Sequence, residues 1–185
     1  MGRLIYSAIT SLDGYVADRD GHFDWSTPDE EVHRYINDRE RPVGTYLYGH
    51  GMYEVMKAWE DISDGENPPY IDEYAGIWQA ADKIVFSTTL VSVETERTRL
   101  ERVFDPALVL QLKDQTDRDL SIGGADLAGQ AIRAGLVDEY GVAMSPVIVG
   151  GGKPWLPDDI DVDLELVDNR TFDNGVVFLR YRVRH

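Results

Sequence analysis

The sequence predicts an α/β protein: a mixed, mostly parallel sheet with helices on both faces and a C-terminal antiparallel hairpin. Three observations carry that expectation. Strand-like apolar runs alternate with helical periodicities along most of the chain, the pattern of a layered parallel sheet. The first run, Arg3 to Val16, is too continuously apolar for a strand with one wet face and belongs inside the sheet. The end of the chain instead reads Leu164 to Phe172, an Asn174-Gly175 turn and Val176 to Val183, which is a hairpin. With 185 residues, a single domain spanning 1–185 is expected, large enough for a substantial core.

Composition excludes several chemistries. The chain has no cysteine, so disulfides, thiolate nucleophiles and cysteine-based zinc or iron–sulfur sites are ruled out. A formal net charge of −16 opposes binding to nucleic acid, which draws its affinity from a basic face. No window is apolar enough for a membrane span, and Met1-Gly2-Arg3-Leu4 runs into a strand pattern without the regions of a signal peptide. A cytoplasmic protein with a small-molecule ligand is expected. An anionic ligand would have to be held by backbone N–H groups and a few arginines.

Taken in order, the first strand ends at Asp13-Gly14, a turn signal. Asp13 is either a site carboxylate at a strand's C-terminal end or the cap of that turn. Phe23-Asp24-Trp25 follows a polar loop and reads as an aromatic flap. Thr27-Pro28-Asp29-Glu30 reads as a helix start, with Thr27 as N-cap and Glu30 completing a capping box. Glu30 is therefore a candidate proton donor with a structural competitor. The helix runs to about Arg39, with Val32, Tyr35 and Ile36 inward. His33 is expected at the surface or in a groove, because no second histidine stands at ligand spacing.

Thr45 to Tyr48 is the next strand, running into Gly49-His50-Gly51 and a helix with Met52, Val55 and Met56. A polar loop over Asp61 to Pro69 precedes a helix over Tyr70 to Ala81. Lys83 to Phe86 is a buried strand ending in Ser87-Thr88-Thr89, hydroxyls that suit ribose or phosphate and also terminate strands. Arg97 to Phe104 suggests a short edge strand and carries the densest basic patch: Arg97, Arg99 and Arg102. Asp105-Pro106 opens a helix.

The stretch Asp119 to Ala128 is a short buried strand, a two-glycine turn and a helix start. Gly123 and Gly124 would let the backbone turn sharply and a ligand approach, and the free N–H groups of the helix start suit phosphate; a plain tight connection is the alternative. This helix ends at Gly135. Tyr140 to Ser145 is a strand, and Pro146 to Val149 leads to Gly150-Gly151-Gly152, a loop that either clamps a ligand or moves freely. Asp158, Asp159, Asp161 and Asp163 lack calcium-loop spacing and read as a solvated acidic loop. In an open α/β sheet ligands sit at the C-terminal strand ends, where Asp13-Gly14, Gly49-His50-Gly51, Ser87-Thr88 and Gly123-Gly124 all fall.

In combination, Ser11-Leu12-Asp13-Gly14, Gly49-His50-Gly51-Met52-Tyr53, Ile122-Gly123-Gly124-Ala125-Asp126-Leu127 and Pro146 to Gly152 resemble the dihydrofolate-reductase-like family. Within it they are most similar to the branch containing the reductase domain of riboflavin biosynthesis, the RibD C-terminal domain. The resemblance covers nearly the whole chain. It implies the dihydrofolate reductase-like fold, NADPH as cofactor and reduction of a small, heterocyclic substrate. It places Ile122, Gly123, Gly124, Ala125 and Leu127 at the pyrophosphate, Gly49, His50, Gly51 and Met52 at a second phosphate-side junction, and Ser87 and Thr88 near the adenosine ribose. Asp13 and Trp25 would face nicotinamide and substrate, with Asp13 relaying a proton or positioning the substrate and Glu30 in reserve. The riboflavin reductases commonly carry lysine where Ser7 stands and a basic residue at Tyr15, departures that point away from a phosphorylated precursor. Relatives of this type often pair as homodimers. A dihydrofolate reductase proper and a nucleotide-binding protein without catalysis are the competing expectations.

Overall fold

The computed structural model describes residues 1–62 and 65–184. Its elements are β1 (Leu4–Ser11), β2 (Tyr15–Ala17), α1 (Glu30–Glu40), β3 (Val43–Gly49), α2 (His50–Met56), α3 (Pro69–Ala80), β4 (Asp82–Phe86), β5 (Thr98–Glu101), α4 (Pro106–Gln115), β6 (Asp119–Gly123), α5 (Ala125–Arg133), β7 (Glu139–Ser145), β8 (Lys153–Pro154), β9 (Leu164–Thr171) and β10 (Val177–Val183). The polar loop expected over Asp61 to Pro69 falls partly outside the described residues.

The main sheet has the order β5-β4-β3-β6-β1-β7-β10-β9. Every neighbouring pair from β5 to β7 is parallel, and β10 and β9 return antiparallel. β1 lies between β6 and β7, as its continuous apolar run requires of a strand covered on both faces. β2 and β8 form a separate short ladder.

Alternation along the strands supplies two apolar faces. On one, Leu4, Tyr6, Leu47, Ile84, Leu120 and Ile122 pack with residues of α4 and α5. On the other, Tyr46, Tyr48 and Val85 pack under Tyr74 and Trp78 of α3, and Ala143 and Phe178 under Val32 and Tyr35 of α1. Helices thus cover both faces, as expected. Among the described residues no helix is long and apolar enough to cross a membrane.

Helix ends follow local chemistry. Asp105 accepts from the Ala107 N–H at 2.9 Å and Pro106 occupies the first turn of α4. α5 closes on Gly135 at φ +66°, with Gly135 N–H to Ile132 O and Leu136 N–H to Ala131 O, a Schellman end. The start of α1 corrects the sequence reading: Asp29, not Thr27, is the N-cap, its carboxylate accepting from Val32 N–H at 3.0 Å. Thr27 instead closes the preceding 3-10 turn on the Asp24 carbonyl. His33 is a second correction. It is buried rather than at the surface, ringed by Trp59, Tyr70 and Tyr74 with Nδ1 3.0 Å from Asn37 Oδ1.

Candidate functional site

The parallel strands β1, β3, β4 and β6 end along one rim, and a cleft of about 1320 Å³ opens there. One wall is the middle of β1, Tyr6 to Ile9. The others are the turn from β3 into α2 at Gly49 to Met52, the segment after β4 at Phe86 to Thr89, and the start of α5 at Gly124 to Leu127. Nine expected site residues therefore share one hollow: Gly49, His50, Gly51, Met52, Ser87, Thr88, Gly124, Ala125 and Leu127.

Backbone conformation explains the α5 junction. Gly124 sits at φ +94°, a region closed to most L-residues, and α5 starts without a side-chain cap. Its first N–H groups are thus left to solvent or a ligand. Gly123 is a glycine for another reason. A Cβ there would sit 2.9 Å from the Tyr48 ring, so packing between β6 and β3 requires it, and neither Gly123 nor the fully buried Ile122 lines the cleft.

Three more expected residues stand outside that lining. Asp13 is exposed, and its carboxylate accepts from Val149 N–H at 3.2 Å and Gly150 N–H at 2.8 Å, tying down the loop after β7. The Ser11 hydroxyl first, and then those backbone donors, hold it below the usual carboxylate range, so it rests as an acceptor. Glu30 points to solvent and pairs with Arg34 at 2.8 Å, a spacing of one helical turn. Trp25 is half-buried in a 3-10 turn whose neighbours Phe23 and Ser26 do line the cleft.

The glycine loop after β7 is built rather than loose. A Cβ at Gly152, where φ is +141°, would lie 2.0 Å from the Ala17 carbonyl oxygen, and Arg19 donates to the Gly150 carbonyl at 2.7 Å. Lys153 pairs with β2, and its ammonium meets Asp126 at 2.6 Å on the cleft's edge.

The cleft also takes in residues that the sequence did not place at the site. The wall Tyr6-Ser7-Ala8-Ile9 lay inside the first apolar run, whose side chains could not be sorted by direction from pattern alone. Tyr6 donates to the Trp155 carbonyl at 2.6 Å and its burial drives its ionisation upward, which makes it a structural group. Of the three clustered arginines, Arg97 pairs with Asp82 and Arg99 lies near Glu101, while Arg102 lines the cleft beside the Ser87 and Leu90 carbonyls.

The family model for the RibD C-terminal domain matches residues 3–178. The chain belongs to this family. Among curated proteins it is similar to the uncharacterized protein YyaP of Bacillus subtilis (strain 168), 29% identical over 182 residues, covering 97% of this chain and 94% of that one. Among solved structures it resembles a Shewanella sp. PV-4 protein named for riboflavin biosynthesis, at TM-score 0.74 and 19% identity with 99% of each chain covered. It also resembles Enterococcus faecalis dihydrofolate reductase complexed with NADP(H), at TM-score 0.68 and 15% identity, covering 100% of this chain and 98% of that one. The RibD C-terminal domain chain thus has the dihydrofolate reductase-like fold its motifs implied.

Proposed function

We propose that this RibD C-terminal domain chain is an NADPH-dependent reductase of a small heterocyclic substrate. The observation that supports the reading best is the convergence of Gly49, Ser87, Thr88 and Gly124, from three separate strand ends, on one cleft of about 1320 Å³. That volume exceeds the ~300–1,000 Å³ of ordinary ligand pockets, as an extended dinucleotide with an acceptor beside it requires.

The residues fit such a cofactor. The uncapped start of α5 offers N–H donors to a pyrophosphate. Arg102 stands at the same cleft as a cation for a terminal phosphate, and the Ser87 and Thr88 hydroxyls suit a ribose. When bound, the cofactor supplies hydride; the protein orients it along β1 and limits access of water, with Phe23 on the outer lip. Asp13 acts by fixing the loop Val149–Gly150. The activity belongs in the cytoplasm, with pairing into a homodimer as an option for the assembled enzyme.

Fluorescence titration with NADPH tests the reading. Micromolar binding, followed by NADPH oxidation with a heterocyclic acceptor, is the expected result. Absence of micromolar binding overturns it. Turnover with dihydrofolate would assign the chain to dihydrofolate reductase proper.

A further inference from the structure

The short ladder outside the main sheet brings one cation to the cleft. β2 and β8 pair with Ala17 opposite Lys153 and Tyr15 opposite Pro154. The chain on either side of Lys153 is held by close contacts. Gly152 lies against the Ala17 carbonyl, where no Cβ fits, and Trp155 N–H donates to the Gly14 carbonyl at 3.1 Å while its own carbonyl accepts from Tyr6. The backbone at Lys153 is therefore fixed, and what can move is its flexible aliphatic stem.

The ammonium at the end of that stem meets the Asp126 carboxylate at 2.6 Å. Asp126 stands in the first turn of α5, a helix of nine residues whose start has no side-chain cap. Both residues line the cleft, and neither side chain has another hydrogen-bond or ion-pair partner among the described residues. The pair is thus a strap from β8 to α5, closed by two side chains and no backbone.

Charge decides what the strap can do. Among the described residues, the permanent cations lining the cleft are Arg19, Arg102 and Lys153. Arg19 is engaged with the Gly150 carbonyl, and Arg102 stands beside the Ser87 and Leu90 carbonyls after β4. Lys153 has its charge at the first turn of α5, facing a carboxylate whose side chain is 86% exposed and free to turn into solvent. A phosphate oxygen arriving there offers the ammonium an acceptor of the same sign of charge.

We propose that Lys153 is a pyrophosphate-binding residue that exchanges partners. In the free protein its ammonium holds Asp126; when the dinucleotide binds, it turns to a pyrophosphate oxygen and the Asp126 carboxylate rotates into water. The strap opens by side-chain rotation while β8 and the glycine loop keep their places. Lys153 thereby adds a cation to the N–H donors of α5, in a chain whose net charge of −16 otherwise repels a dinucleotide. The inference rests on the reductase reading, which supplies the dinucleotide. It assigns Lys153 to the phosphates that NADPH and NADH share, not to the 2′-phosphate that distinguishes them.

The test combines calorimetric titration with acetylation of the full chain by acetic anhydride, read at each lysine by mass spectrometry. Lys153→Met should bind NADPH and NADH more weakly by the same factor, roughly fivefold or more, while Lys153→Arg stays within roughly threefold of the wild type. In the wild type, NADPH should slow acetylation of Lys153 relative to Lys57, which lies outside the cleft lining. That protection should persist in Asp126→Asn, where no carboxylate holds the amine. A smaller loss in Lys153→Met, or a loss for NADPH with NADH unchanged, overturns the inference. So does unchanged acetylation of Lys153 with NADPH bound, or protection that disappears in Asp126→Asn. The wild-type acetylation decides the matter even where Lys153→Met fails to fold. Normal NADPH binding with an indifferent Lys153 removes this inference alone, whereas a wild type that binds no NADPH removes the reductase reading and the inference with it.

Discussion

Lys153 and Asp126 join two lips of the cleft: the ammonium lies 2.6 Å from the carboxylate, linking β8 to the first turn of α5. Both side chains keep wide solvent contact, so the pair contributes little to stability, about 0–1 kcal/mol. Its interest lies in position. The Asp126 carboxylate stands beside the N–H groups proposed to hold a pyrophosphate, where it competes with that anion. Asp126→Asn should therefore tighten NADPH about threefold, less at high salt. Fluorescence titration at two ionic strengths checks this, and weaker binding in the variant would place the pyrophosphate elsewhere.

Gly124 gives a sharper test. At φ +94° any side chain is strained, at a cost of about 1–3 kcal/mol, and a Cβ would also meet Met52 Cβ at 3.3 Å. Gly124→Ala should lower stability by that amount and keep measurable cofactor binding. Gly124→Asp should abolish binding by adding a carboxylate at the phosphate position. Urea denaturation and NADPH titration together separate backbone strain from charge; wild-type affinity in Gly124→Asp would refute the placement of the site.

Glu139 is fully buried and accepts from Arg3, Arg180 and Arg182. Removing it leaves those guanidinium groups facing one another across β1, β7 and β10. Glu139→Ala should cost about 3 kcal/mol, toward the lower end for a broken buried pair because Arg3 and Arg180 keep partial solvent contact. The midpoint of urea unfolding reads this directly. A loss under 1 kcal/mol would show that solvent already screens the cluster.

His33 makes stability depend on pH. Burial lowers its affinity for a proton, against the raising effects of Asn37 and Glu73; Tyr70, Tyr74 and Trp59 pack around it. The unfolded chain then binds the proton more readily, so this contribution is complete above the ordinary histidine value and is lost as pH falls below it. Between pH 7 and 5 the wild type should lose more of its Tm than His33→Gln does. Parallel Tm profiles would show that His33 protonates in place.

The fold is legible because parallel sheets write themselves in runs. β1 is a long, mostly apolar run, β4 carries Ile84-Val85-Phe86, and β6 is short and ends at a glycine pair that marks where it stops. What pattern could not supply was direction. Ser7 and Tyr6 are adjacent in sequence, yet Ser7 faces Gly141 while Tyr6 packs against Tyr140 and Trp155. The cap of α1 shows the same limit locally: Thr27, Asp29 and Glu30 all suit a helix start, and tertiary placement of the 3-10 turn decided among them.

Gly152 has a consequence for anyone redesigning this scaffold. Because a single methyl at that position would overlap the Ala17 carbonyl oxygen at 2.0 Å, a library randomised there and screened for folding should return one residue type. That makes the position a built-in sensor: whenever an engineered variant tolerates alanine at 152, the β2–β8 ladder has come apart.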